Sequence, residues 1–97
     1  MEKWTLTEVL HSGRKGERNT PVDNPKYDDI IGWTVGLDKD NLKPFEEFRF
    51  YFKGHPKYDY WTTTAVIEAH IEKGNILHIE TVNTIYVFER VEENTNG

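Results

Sequence analysis

The chain has no cysteine, one serine, one methionine and two alanines among its 97 residues. Without cysteine there is neither a disulfide nor a thiolate metal ligand, and secreted domains of this size usually depend on such staples, so a reducing compartment is expected. The lone serine, Ser12, follows His11 directly. Neighbours on a strand point to opposite faces, which leaves His11 badly placed to activate it. No apolar run exceeds Ile85-Tyr86-Val87-Phe88, which is too short for a membrane span or a signal-peptide core. The pattern also lacks a glycine-rich phosphate loop, a His-Glu-x-x-His helix and calcium-loop spacing. The expectation is a non-enzymatic protein, located in the cytoplasm, that needs no cofactor.

The apolar residues are sparse, at 36% with a mean hydropathy of −0.75, but 13% of the chain is aromatic. A small core built largely from aromatic area follows. Ten Thr, seven Val and seven Ile are β-branched, and with the aromatics they favour strands over helices. One β-rich domain over 1–93 is expected, with a frayed tail at 94–97.

Alternation and turn residues place the strands. The first runs over 3–11, slipping near Glu8 as a β-bulge would. A polar stretch over 12–29, with Gly13, Gly16, Pro21 and Pro25, reads as a long loop of the kind that is commonly functional or disordered. Residues 30–37 read as a strand in which Gly32 and Gly36 signal a bulge or a close backbone approach. Over 42–52, Pro44 suggests one helical turn, followed by a strand over 47–53. Strands over 61–72, 75–82 and 84–92 form an antiparallel meander. The fold class is all-β, with about six strands curled into a small antiparallel barrel or a strongly bent sheet.

The register of the central hairpin can be derived. A three-residue loop at Lys73-Gly74-Asn75 opposes Ile71 to Leu77, Ala69 to Ile79 and Ile67 to Thr81. The other face then opposes His70 to His78 and Glu68 to Glu80. Two imidazoles and two carboxylates are ligand types that zinc accepts. A solvated charged face is the simpler reading, and no metal is assigned there; a metal-dependent enzyme at His70 and His78 ranks third among the functions considered.

A net charge of −5 argues against nonspecific nucleic-acid binding. Against that balance stands a basic knot, Arg14, Lys15 and Arg18, able to meet a phosphate or carboxylate. Tyr27, Tyr58 and Tyr60 lie in polar contexts where exposed rings can stack or anchor a partner. These six residues are the candidate binding set. Trp33 and Trp61 read as core. Tyr27 and Tyr58 belong to a repeated tetrapeptide, Pro25-Lys26-Tyr27-Asp28 and Pro56-Lys57-Tyr58-Asp59, better explained by similar loop-to-strand chemistry than by duplication.

Two motifs near the C terminus, Thr63-Thr64-Ala65-Val66 and Thr81-Val82-Asn83-Thr84-Ile85-Tyr86, carry a family resemblance. The pattern resembles Thr-Ser-x-Val followed by Thr-x-Asn-Ser-x-Tyr in short bacteriophage and mobile-element proteins, with Thr64 and Thr84 here where serine is usual. The resemblance covers about a third of the chain and implies an origin, but no catalytic residue. The leading expectation is an accessory protein that binds and inhibits a host defence or regulatory macromolecule, in the host cytoplasm if phage-encoded. A binder of nucleotides or signalling molecules is the alternative. Sheet edges on so small a domain also suggest a homodimer.

Overall fold

In the computed structural model, which describes residues 1–13 and 17–92, six antiparallel strands pair successively into a closed ring. They are β1 (Glu2–His11), β2 (Thr34–Leu37), β3 (Glu47–Phe52), β4 (Tyr60–Glu72), β5 (Ile76–Thr81) and β6 (Thr84–Arg90). β1 closes the ring because it is long enough to serve two neighbours. Glu2 to Thr5 pair with β2, while Trp4 to His11 pair with β6. The ladder slips between Leu6 and Glu8, where the break in alternation falls.

The second expected strand is shorter than its apolar pattern suggests. Residues 30–33 form a turn, in which Gly32, at φ 93°, donates to Leu6 O and Trp33 O accepts from Leu6 N. Glycine suits this turn through its positive φ, since a Cβ at Gly32 would meet nothing within 4 Å. The helical turn expected at Pro44 is absent; it lies instead at α1 (Pro25–Asp28), capped by Asn24, whose side chain accepts from Lys26 N. A 3-10 turn occupies Lys39–Asn41. At Pro44 a helix is prevented by the next residue, since Phe45 takes the left-handed φ of 65° while its N–H donates to Val66 O.

Residues 17–29 of the polar stretch after β1 are also more ordered than their composition implies. His11 N donates to Thr20 O, Asn19 N to His11 O and Val22 N to Val9 O, so residues 19–22 take the edge of β1 that short β2 leaves open. The repeated tetrapeptides adopt different conformations, one helical and one irregular, which excludes structural duplication. Their tyrosines nevertheless converge on one indole, with Tyr27 at 5.7 Å and Tyr58 at 5.3 Å from Trp61 between ring centroids.

The core fills the ring. Phe48, Phe50 and Phe52 point inward by strict alternation along β3, and Phe50 meets Phe88 edge-on at 5.3 Å. Tyr27 and Ile30, both buried, join this cluster from α1 and the turn after it. At Trp4, which is fully buried, Arg90 and Lys39 lie over the indole while both reach Glu2, at 3.1 and 3.4 Å. Among the described residues no helix is long and apolar enough to cross a membrane.

The hairpin register is as derived for Ile71 with Leu77, His70 with His78, Ala69 with Ile79 and Glu68 with Glu80. It departs at Thr81, which faces Val66 because a bulge lies between Val66 and Glu68. The expected apolar pairing also does not bury both strands. Leu77 and Ile79 are buried, but Ile67, Ala69 and Ile71 are exposed, because β3 pairs with β4 only as far as Ala65.

Candidate functional site

The four candidate binding residues that are described, Arg18, Tyr27, Tyr58 and Tyr60, do not form one surface. Arg14 and Lys15 lie outside the described residues. Arg18 is occupied within the chain, its two terminal nitrogens each donating to Glu80 at 2.7 Å. Glu80 also accepts from Ser12 Oγ. Arg18 above all, with Ser12 in support, pulls the Glu80 carboxyl down to about 2. Tyr27 is buried and Tyr58 half-buried, so neither presents its ring face to a partner. Of the three tyrosines, Tyr60, 48% exposed, is the one on the surface.

The four residues of the hairpin face, His70, His78, Glu68 and Glu80, are likewise divided. Glu80 is taken by Arg18, while Glu68 touches His70 at 3.6 Å. The ligand atoms that converge belong to His70, Glu72 and His78, within 4.8 Å of one another. Glu72 spans the pair, its two carboxylate oxygens lying 3.3 Å from His70 Nε2 and 3.5 Å from His78 Nε2. The imidazole planes are 5° from parallel with centroids 4.6 Å apart. A metal bonded to a ring nitrogen lies in that ring's plane, so one ion can engage both only after a ring turns. As arranged, this is a carboxylate shared by two histidines. Hydrogen bonding from His70, then the charge of His78, holds the Glu72 carboxyl below its ordinary value.

A fourth histidine is structural. His55 Nδ1 accepts from Lys57 N and Tyr58 N, so Nε2 carries the proton and donates to Asp29 O at 2.7 Å. Its ring packs 4.4 Å from Trp33. This ties the segment before β4 to the end of α1, a tie reinforced by Lys57 and Asp29 at 3.0 Å.

The surface with binding chemistry follows from strand register. Lys3 opposes Gly36, Gly36 opposes Tyr51, and Tyr51 opposes Tyr60. Opposed residues share a face, so these four form one outward row across β1 to β4. Glycine leaves a gap in that row, and the Met1 side chain lies over it, its Cε 3.5 Å from where a Cβ would stand. The result is an open groove of about 660 Å³, lined by Trp33, Gly36, Tyr51 and Phe52, bordered by Lys3 and Lys53, with Met1 beside it. Neither Asp nor Glu lines it. Along the row beyond the groove, Arg49 stacks on Tyr60, 4.0 Å from the ring centroid, and Tyr51 lies 6.4 Å from Tyr60.

Tyr51, Arg49 and Lys53 were legible in principle. Burying Phe48, Phe50 and Phe52 turns the intervening residues outward. The role of Gly36 was not, because it depends on which side chains flank it across the sheet.

A small all-β protein, closed by six antiparallel strands and bearing a cationic aromatic groove, is the class these features define. No protein-family model, curated protein or solved structure matches the chain.

Proposed function

We propose that this protein is a non-enzymatic binding module, of the accessory kind that phages and mobile elements encode, which inhibits a host macromolecule in the cytoplasm by occupying it. The observation that carries this reading is the outward row Lys3, Gly36, Tyr51 and Tyr60, where cations surround an aromatic trough on a chain of net charge −5. Tyrosine and arginine are the residue types that anchor protein interfaces, because they bury large rigid area at small entropic cost. The fitting partner is a host protein segment in which an apolar or planar side chain stands beside carboxylates: the former enters the groove, the latter meet Lys3, Lys53 or Arg49.

The test is affinity capture from the host cytosol with the wild-type chain and with Tyr51→Ala/Tyr60→Ala. A host protein retained by the wild type and lost with the variant supports the reading. Equal capture by a correctly folded variant refutes this surface assignment.

The groove volume favours a second reading, a small phosphorylated ligand, since it falls in the range of small-molecule pockets and two lysines border it. Native mass spectrometry of gently purified protein separates the two. A retained mass of nucleotide size, released by Lys3→Glu/Lys53→Glu, identifies a ligand site; bare protein alongside specific capture identifies a protein partner.

A further inference from the structure

Beyond Ala65 the edge of β4 opposite β5 has no strand beside it among the described residues. Phe45 and Glu46 hydrogen-bond to Val66, and residues 67–72 continue as a free, exposed edge. Natural proteins usually blunt such edges with charges and bulges, and here Glu68, Glu72 and the bulge between Val66 and Glu68 do so in part. This one keeps apolar residues in the open, with Ile67 49% and Ile71 41% exposed, and Phe45 is 81% exposed at its start. Phe45 is held there by a left-handed backbone at φ 65°, strain of the kind that persists where a position has work to do. Beside it is a cleft of about 320 Å³ between residues 42–44 and 66–69.

We propose that this edge pairs antiparallel with the same edge of a second copy, forming a two-fold homodimer centred on Ala69. The backbone sets which residues can pair. Asn75 N donates to Glu72 O at the hairpin loop, and alternation from there turns His70 and Glu68 toward β5 and leaves Ala69 and Ile71 with outward groups. Two-fold pairings compatible with that alternation centre on a residue, and those nearest the middle of the edge centre on Glu68, Ala69 or His70. Centring on Glu68 sets that carboxylate against its own copy, and centring on His70 sets Glu68 against Glu72. Centring on Ala69 sets Glu68 against His70 on one face and Ile67 against Ile71 on the other, at both ends of the axis. It is the one register of the three in which charge and apolar character both complement themselves. It also brings Ile71 of the second copy beside Ile67, at the cleft. A contact of five residues a side is smaller than the roughly 1,600 Å² of a standard stable interface, so the dimer is reversible and depends on concentration.

This inference concerns a different face from the groove and stands independently of it. Sedimentation velocity of the full chain between about 10 and 500 µM, the range where small interfaces associate, tests it. The wild type is expected to pass from monomer to dimer. Glu68→Lys, which sets lysine against His70, is expected to weaken the dimer about tenfold, and Glu68→Lys/His70→Glu to restore it. Ile71→Lys, at an exposed position, gives the same loss and replaces the charge variants if they lose the wild-type near-UV spectrum. A chain that stays monomeric throughout, that forms oligomers larger than two, or whose dimer ignores these substitutions overturns the proposal. An edge that instead serves an extended segment of another protein appears as the first of these outcomes.

Discussion

His70 and His78 stack face to face, their ring planes 5° from parallel, and share the carboxylate of Glu72 at their edges. The pairing is a direct product of the Lys73-Gly74-Asn75 loop, where Lys73 and Gly74 both adopt positive φ. Because His70 is the leading cause of the lowered Glu72 pKa, with His78 next, the carboxyl should titrate below its ordinary 4.5. Carbon NMR of the Glu72 side chain should show this, and His70→Phe should move the midpoint upward. An unchanged midpoint would mean the shared contact does not persist in solution. The group is on the surface, so stability should hardly respond.

Arg18 and Glu80 make a stronger prediction, because the Glu80 side chain is only 15% exposed and hydrogen-bonded from two sides. Its folded pKa, about 2, lies below the ordinary 4.5, so the unfolded chain binds the proton more readily. The stabilisation is fully present above pH 4.5 and is lost as pH falls toward 2. After allowing for the half-exposed guanidinium, it amounts to about 1–2 kcal/mol. Urea unfolding at several pH values should therefore show a declining midpoint in acid that is flattened in Glu80→Gln.

Tyr27 joins the core from α1 and packs against Trp61 and Tyr86. Removing so much buried area and leaving a cavity costs about 3–5 kcal/mol, as for other buried aromatic truncations. That is a large part of the roughly 5–15 kcal/mol holding a domain together. Tyr27→Ala should lower the urea midpoint sharply, and Tyr58→Ala, being half-buried, should lower it less. Equal effects would contradict the different depths of the two rings.

Phe45 occupies a left-handed conformation with its ring in solvent. A non-glycine residue pays about 1–2 kcal/mol for that backbone, while glycine at the same position loses more chain entropy on folding. Phe45→Gly should come out slightly stabilising, by about 0.5–1 kcal/mol, in thermal or urea unfolding of the monomer. A net loss of stability would show that the ring packs on the domain in solution.

Six strands, their order along the chain and most of the hairpin register follow from local chemistry: period-two alternation, β-branched residues, and turn residues that tolerate positive φ. The slip near Glu8 and the opposition of His70 to His78 were readable for that reason. The helical turn was misplaced because Pro44 suits a first turn equally well whether or not the next residue continues it.

What tertiary structure alone decided is which distant residues meet. Arg18 reads as a free cation until it is folded against Glu80, 62 residues away, and Tyr27 reads as a surface ring until α1 packs on the core. Gly36 becomes a groove only when β1 and β3 set Lys3 and Tyr51 on either side of it. Alternation tells a residue which face it occupies, but its neighbours on that face are chosen by strand pairing between remote segments. The exposed edge of β4 likewise arises from where β3 stops, a length mismatch invisible in either strand alone.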